Sequence, residues 1–201
     1  MRERVRRQTL RRTSFELHRS LSADGRAWVK EVWQASKDVS AELSLLSPVT
    51  SAVALDFAKS YASAAGASGE EIQQALLTMM RTGYGCRSVI TEPTEQPALD
   101  PSSIVLEPLH GVQVTQNASE LRALNEAVRR VAFDDFESVM TLPPEVWAGL
   151  LTMATRDFQR TLASSTVSWR ELGKERIDLV LRYGYVLRCL DETLERPWDA
   201  S

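Results

Sequence analysis

Apolar side chains return every three or four residues along most of this chain, and that period limits its fold more than any other feature. From Val29, positions 29, 32, 36, 39, 43 and 46 carry Val, Val, Ser, Val, Leu and Leu, a stripe that a 3.6-residue turn stacks on one helix face. Trp28 and Ala35 widen that face. Ser47-Pro48 marks the next start, with serine as N-cap and a proline whose missing N–H the first helical turn does not need. A second stripe, Val49, Val53, Phe57 and Tyr61, runs out near Gly66. Ser68 to Glu71 then forms a capping box, in which serine and glutamate each satisfy an orphan N–H of the other's turn. The helix it opens carries Ile72, Leu76 and Met79, and Gly83 is its expected stop.

Residues 84–116 interrupt the period. Pro93, Pro97, Pro101 and Pro108 forbid a continuous helix, and the stretch from Thr91 to Ser103 reads as an exposed loop. Short β-branched runs lie at Ser88 to Thr91, Ser103 to Leu106 and Val112 to Val114, and the last two are expected to pair as a small hairpin. Helical spacing resumes at Asn117, whose box with Glu120 precedes Leu121, Leu124, Val128 and Val131. Phe133, Phe136 and Val139 extend the apolar edge to Pro143-Pro144, after which Trp147, Leu150, Ala154, Phe158 and Leu162 share a face. A last box, Ser168 to Glu171, introduces a long helix with apolar residues on several sides, which places it at the centre of a bundle. The expectation is an all-α fold of about seven helices: a basic arm over 1–12, then one helical domain over 13–201, its halves 13–83 and 117–201 joined by 84–116.

Composition removes several alternatives. With 43% hydrophobic and 25% charged residues the chain is of ordinary globular type. Two cysteines, Cys86 and Cys189, and two histidines, His18 and His110, supply neither a disulfide framework nor the ligands of a protein-only zinc site, so no metal or cofactor is expected. Uncharged stretches such as Leu43 to Leu55 are shorter than the roughly 20 residues a membrane span needs. Charged residues from Glu16 to Arg26 break up any export signal, and 20 arginines against 4 lysines suggest genome-wide bias, so a bacterial cytoplasmic setting is expected.

Charge is unevenly placed. Arg2, Arg4, Arg6, Arg7, Arg11 and Arg12 face only Glu3, so residues 1–12 carry +5 and, in a chain of net charge −3, the remaining 189 carry −8. Six arginines oppose a helix N-terminus electrostatically, and Thr13 to Glu16 offers a capping box that leaves the arm outside. Those six arginines are the candidate anion-binding residues, suited to phosphates or an acidic partner. Arg12 and His18 bracket five residues, a spacing that resembles the Arg-x(4–6)-His element of HEPN-type ribonucleases; the resemblance implies side chains flanking a scissile phosphate, and it covers seven residues.

Two further constellations remain. Cys86 lies in Thr82-Gly-Tyr-Gly-Cys-Arg-Ser88 beside Arg87, which would stabilise a thiolate, and His110 offers a base; this is the candidate catalytic set, although a packed structural thiol is the favoured reading of Cys86, free cysteine being so often buried. Asp134, Asp135 and Glu137 read as a solvated face, and the charges of the last helix, including Asp178 and Arg182 at i, i+4, as surface ion pairs. No G-x-G-x-x-G, Walker, G-x-S-x-G, H-E-x-x-H or C-x-x-C motif occurs. The sequence therefore favours a non-catalytic interaction or regulatory protein that binds a protein partner or itself, with nucleic acid a further candidate through the arm. An enzyme with a loop-built site around Cys86, Arg87 and His110 is the alternative, and an RNA-processing or nucleic-acid-binding protein using Arg12 and His18 the third reading.

Overall fold

A computed structural model describes residues 17, 19–41, 47–64, 70–90, 118–163 and 174–195. Among them the chain forms seven helices and no strand: α1 (Ala23–Ala41), α2 (Pro48–Ala64), α3 (Glu70–Ile90), α4 (Ala118–Phe133), the single turn α5 (Phe136–Val139), α6 (Pro144–Ala163) and α7 (Lys174–Glu195). The all-α expectation holds. The arm, the caps at Thr13 to Glu16 and Ser168 to Glu171, and the hairpin expected between Ser103 and Val114 lie outside the described residues.

Local chemistry sets the helix starts that can be seen. Ser47 caps α2, its Oγ accepting from the Thr50 N–H at 3.2 Å while its carbonyl accepts from Ser51 at 2.9 Å. α6 begins at the second proline of its pair, with the Pro143 carbonyl accepting from Val146 and Trp147 at 3.0 and 3.1 Å. The apolar stripes then turn inward to a single hydrophobic cluster to which every helix contributes. Trp33 and Trp147 are buried in it, each with its indole N–H on a carboxylate, Asp157 and Asp178, at 2.9 Å. Trp28 stays 41% exposed.

Two helices form the axis of the bundle. α3 and α7 pack most extensively, and from Tyr183 to Leu187 every residue of α7 is buried. Their backbones touch at two glycines. A methyl group on Gly83 would overlap the Leu181 carbonyl oxygen, and one on Gly184 would overlap that of Met80. α1 comes nearly as close on the other side of α3, since a Cβ on Gly85 would lie 2.5 Å from the Ser36 carbonyl oxygen. Ser36 is fully buried there, its hydroxyl donating to the Val32 carbonyl at 2.6 Å.

This packing corrects the expected end of α3. The helix does not stop at Gly83 but continues to Ile90, so Ser88 to Ile90 are its last turn and not an extended run. A glycine inside a helix costs about 1 kcal/mol relative to alanine, and sequence rules therefore read it as a terminus. Here the missing side chain lets two helices meet backbone to backbone, and the burial gained along the crossing offsets that cost.

Candidate functional site

Beyond the crossing, the C-terminal halves of α3 and α7 run out together and bring Tyr84, Arg87, Tyr185, Arg188, Asp191 and Glu192 into one polar seam. Arg87 is 3% exposed and fully engaged. Its Nε donates to Glu192 Oε1 at 3.2 Å, its Nη2 to Oε2 at 3.0 Å, and its Nη1 to Thr141 Oγ1 at 3.1 Å and the Tyr185 hydroxyl at 3.2 Å. Burial alone would depress the guanidinium pKa, but the bonds to Glu192 and Tyr185 outweigh it and hold the group charged above its ordinary value. Arg188 reaches the same carboxylate, with Nε 3.4 Å from Glu192 Oε1, and its Nη1 donates to the Tyr84 hydroxyl at 3.4 Å.

The second carboxylate closes the seam against α2. Asp191, 2% exposed, accepts from Ser47 Oγ at 2.7 Å, Thr50 Oγ1 at 3.0 Å and the Tyr84 hydroxyl at 2.8 Å, and so ties the N-terminus of α2 to the end of α7. A negative charge at a helix N-terminus is favourable, because the free N–H groups there carry partial positive charge. Burial, reinforced by the bond to Asp191, raises the Tyr84 pKa well above the ordinary phenol range. Tyr183, whose hydroxyl donates to Asn125 Oδ1 at 3.0 Å, is raised by burial and then by the charge of Asp56. Both phenols stay protonated at neutral pH, acting as hydrogen-bond donors and not as bases or nucleophiles.

The candidate residues from sequence fall as follows. Cys86 is inside α3, four residues before its C-terminal end and not in a loop, with no exposed surface, and burial pushes its thiol up to about 12. A thiol so placed is protonated and shielded at pH 7. Cys189 on α7 is equally buried, its pKa pushed up to about 12 by the same cause. Arg87 neighbours Cys86 in sequence but turns toward Glu192, Thr141 and Tyr185. His110, His18, Arg12 and the other arginines of the arm lie outside the described residues. No group of three or more potential metal ligands occurs among the described residues.

The charges on the last helix also differ from the expectation of a surface. The Asp178–Arg182 pair forms at 2.9 Å, but Arg182 lies over the Phe136 ring at 4.8 Å, and Asp191 and Glu192 face inward. α7 is surrounded by helices on so many sides that most of its polar positions meet another element. Asp134, Asp135 and Glu137 are exposed, as expected. Sequence reasoning missed Tyr84, Tyr185 and Asp191 as members of one cluster. A signal was present, since Tyr84 and Tyr185 each follow a glycine and precede an arginine by three residues.

Among the described residues, the polar groups of the seam bond to one another. Its cations meet its carboxylates and its hydroxyls. A shallow notch on the other side, lined by Leu76, Met79, Phe158, Arg176, Ile177 and Val180, is apolar and gives no room for a small molecule. No family model, no curated protein and no solved structure matches this chain.

Proposed function

We propose that the chain is a non-catalytic helical interaction or regulatory protein, whose body presents a surface to a protein partner or to a second copy and whose basic arm adds attachment to acidic or phosphate-bearing partners. One observation supports this most: the titratable side chains that the fold gathers, Arg87, Arg188, Asp191, Glu192 and Tyr84, engage one another, whereas an enzyme site leaves such groups converging on a pocket. A bacterial cytoplasmic setting accords with the arginine bias and the two free cysteines. The reading built on Cys86, Arg87 and His110 has less support, because a thiol without exposure inside a helix cannot reach a substrate while the fold is intact.

The arm supplies the test. Anisotropy of a labelled single-stranded RNA is measured against the full chain and against a chain lacking residues 2–12, over a series of salt concentrations. With up to six arginines engaged, the logarithm of affinity falls against that of salt with a slope of about −4, and deletion removes the binding. Absence of binding by the full chain, or binding that deletion leaves unchanged, overturns the role of the arm. Cleavage of the RNA, lost on changing Arg12 or His18, replaces this reading with the ribonuclease one.

A further inference from the structure

The two glycines at the central crossing meet each other's helices in the same way: each lies against the carbonyl oxygen three residues before the other glycine. Contacts in which i meets j and j's counterpart meets i's counterpart are the mark of a two-fold relation. The relation extends along both helices. Arg188 lies over the Tyr84 ring with its guanidinium carbon 5.6 Å from the centroid, and Arg87 lies over the Tyr185 ring at 5.5 Å. Tyr84 and Arg87 stand one and four residues after Gly83, and Tyr185 and Arg188 stand one and four after Gly184.

The sequence carries the same relation at a constant spacing of 101 residues. The pattern Arg-x-Gly-Tyr-x-x-Arg occurs at Arg81 to Arg87 and again at Arg182 to Arg188. Moving back without a gap, Glu70 matches Glu171, Ala62-Ser63 matches Ala163-Ser164, and Asp56-Phe57 matches Asp157-Phe158. Lys59-Ser60 becomes Arg160-Thr161, and Met79-Met80 becomes Val180-Leu181. The helices correspond as well: α2 with α6, α3 with α7, and α1 with α4, the last pair at a spacing of 92.

Two polar bonds between the halves obey that correspondence. Trp33 on α1 donates to Asp157 on α6 at 2.9 Å, and Asn125 on α4, 92 residues after Trp33, donates to Asp56 on α2 at 2.6 Å. So the first helix of each half packs against the second helix of the other. We infer that the chain is two copies of one three-helix unit fused head to tail, forming within a single chain the interlocked interface that a two-fold homodimer forms between two.

Fusion also explains where the symmetry fails. Glu192 serves Arg87 and Arg188 together, at 3.0 and 3.4 Å, while the matching position in the first unit is Thr91. In a homodimer the same glutamate would appear twice at the pair of arginines, and two buried carboxylates would repel. A fused chain needs only one. Asp191, which clamps α2, likewise matches Ile90.

A two-fold arrangement makes the order of the units immaterial, and that is testable on the full chain. The relation maps the gap from Ile90 to Ala118, spanned by the 27 residues 91–117, onto the gap from Asp191 to Arg26, for which residues 192–201 and 1–25 supply 35. A circular permutant that starts at Asp100, joins Ser201 directly to Met1 and ends at Leu99 should therefore keep the parent's helical circular dichroism and a cooperative melt. In a second measurement, a protease site between Leu99 and Asp100 is cut in the folded full chain. The two pieces should stay together through size exclusion at the parent's elution volume. Retention of the fold by the permutant, or of the assembly by the cut protein, supports the fused-dimer account; loss of both overturns it.

Discussion

Replacing Gly83 or Gly184 by alanine tests the backbone contact at the centre of the fold. In either variant the new methyl group overlaps a carbonyl oxygen of the opposite helix, Leu181 or Met80, and a helix carbonyl cannot swing aside as a side chain can. The two helices must separate on the order of an ångström, which loosens the buried neighbours Leu181, Tyr183, Tyr185 and Met80. Overpacking a core costs up to about 3 kcal/mol or more, and the better helix propensity of alanine returns about 1 kcal/mol. The expected net loss is about 2 kcal/mol or more, which in a domain of this size lowers the thermal midpoint by about 4–8 °C. Because the two contacts are reciprocal, G83A and G184A should fall by similar amounts. Gly25 is the control: there a Cβ meets only the Leu21 side chain at 3.0 Å and the Ser22 hydroxyl at 3.3 Å, so G25A should lie within about 1 kcal/mol of the parent. Urea melts followed at 222 nm give the three midpoints. A G83A or G184A protein as stable as the parent would refute the argument.

The polar seam and the buried acids give further expectations. Asp191→Ala removes the buried carboxylate on which Ser47, Thr50 and Tyr84 converge and frees the start of α2, for a loss of about 3 kcal/mol by denaturant melts. Tyr84→Phe, which removes one donor and leaves Asp191 its serine and threonine, should cost only about 1 kcal/mol; equal losses would show that the clamp on α2 is not what Asp191 supplies. Cys86 and Cys189 titrate near 12 when folded, against an ordinary value of 9.0, and Tyr84 and Tyr183 are raised above 10.0. The unfolded chain therefore loses these protons first, so their stabilising contribution is complete below pH 9 and disappears as pH climbs from 9 toward 12. Stability from melts should be level between pH 7 and 8.5 and fall steeply above 9, and both thiols should resist alkylation at pH 8 until denaturant is added. Rapid alkylation of the folded protein at pH 8 would contradict the burial of both thiols.

Much of this fold was written in short-range patterns. Ser47-Pro48 and Pro143-Pro144 mark helix starts because capping and proline chemistry act within one turn, and the apolar stripes of α4, α6 and α7 name the buried residues directly. Gly83 misled for a physical reason: a lone glycine has the same local meaning whether it ends a helix or lets another backbone approach, and only the partner helix, 101 residues away, decides which. That error moved Cys86 into a loop and gave a buried thiol the look of a nucleophile. The polar seam was hidden in the same manner, since Asp191 and Tyr84 are 107 residues apart in sequence and meet only through the crossing. The duplication lay open in the repeated Arg-x-Gly-Tyr-x-x-Arg, but at a spacing far longer than that of stacked repeats and among positions that have mostly diverged.

Two interlocked units share one core, with α1 on α6 and α4 on α2, so that neither closes without the other. Scanning calorimetry of the full chain reads this cooperativity. One transition is expected, with calorimetric and van't Hoff enthalpies that agree. Two resolved transitions, or a van't Hoff enthalpy near half the calorimetric value, would show halves that melt independently and would contradict it.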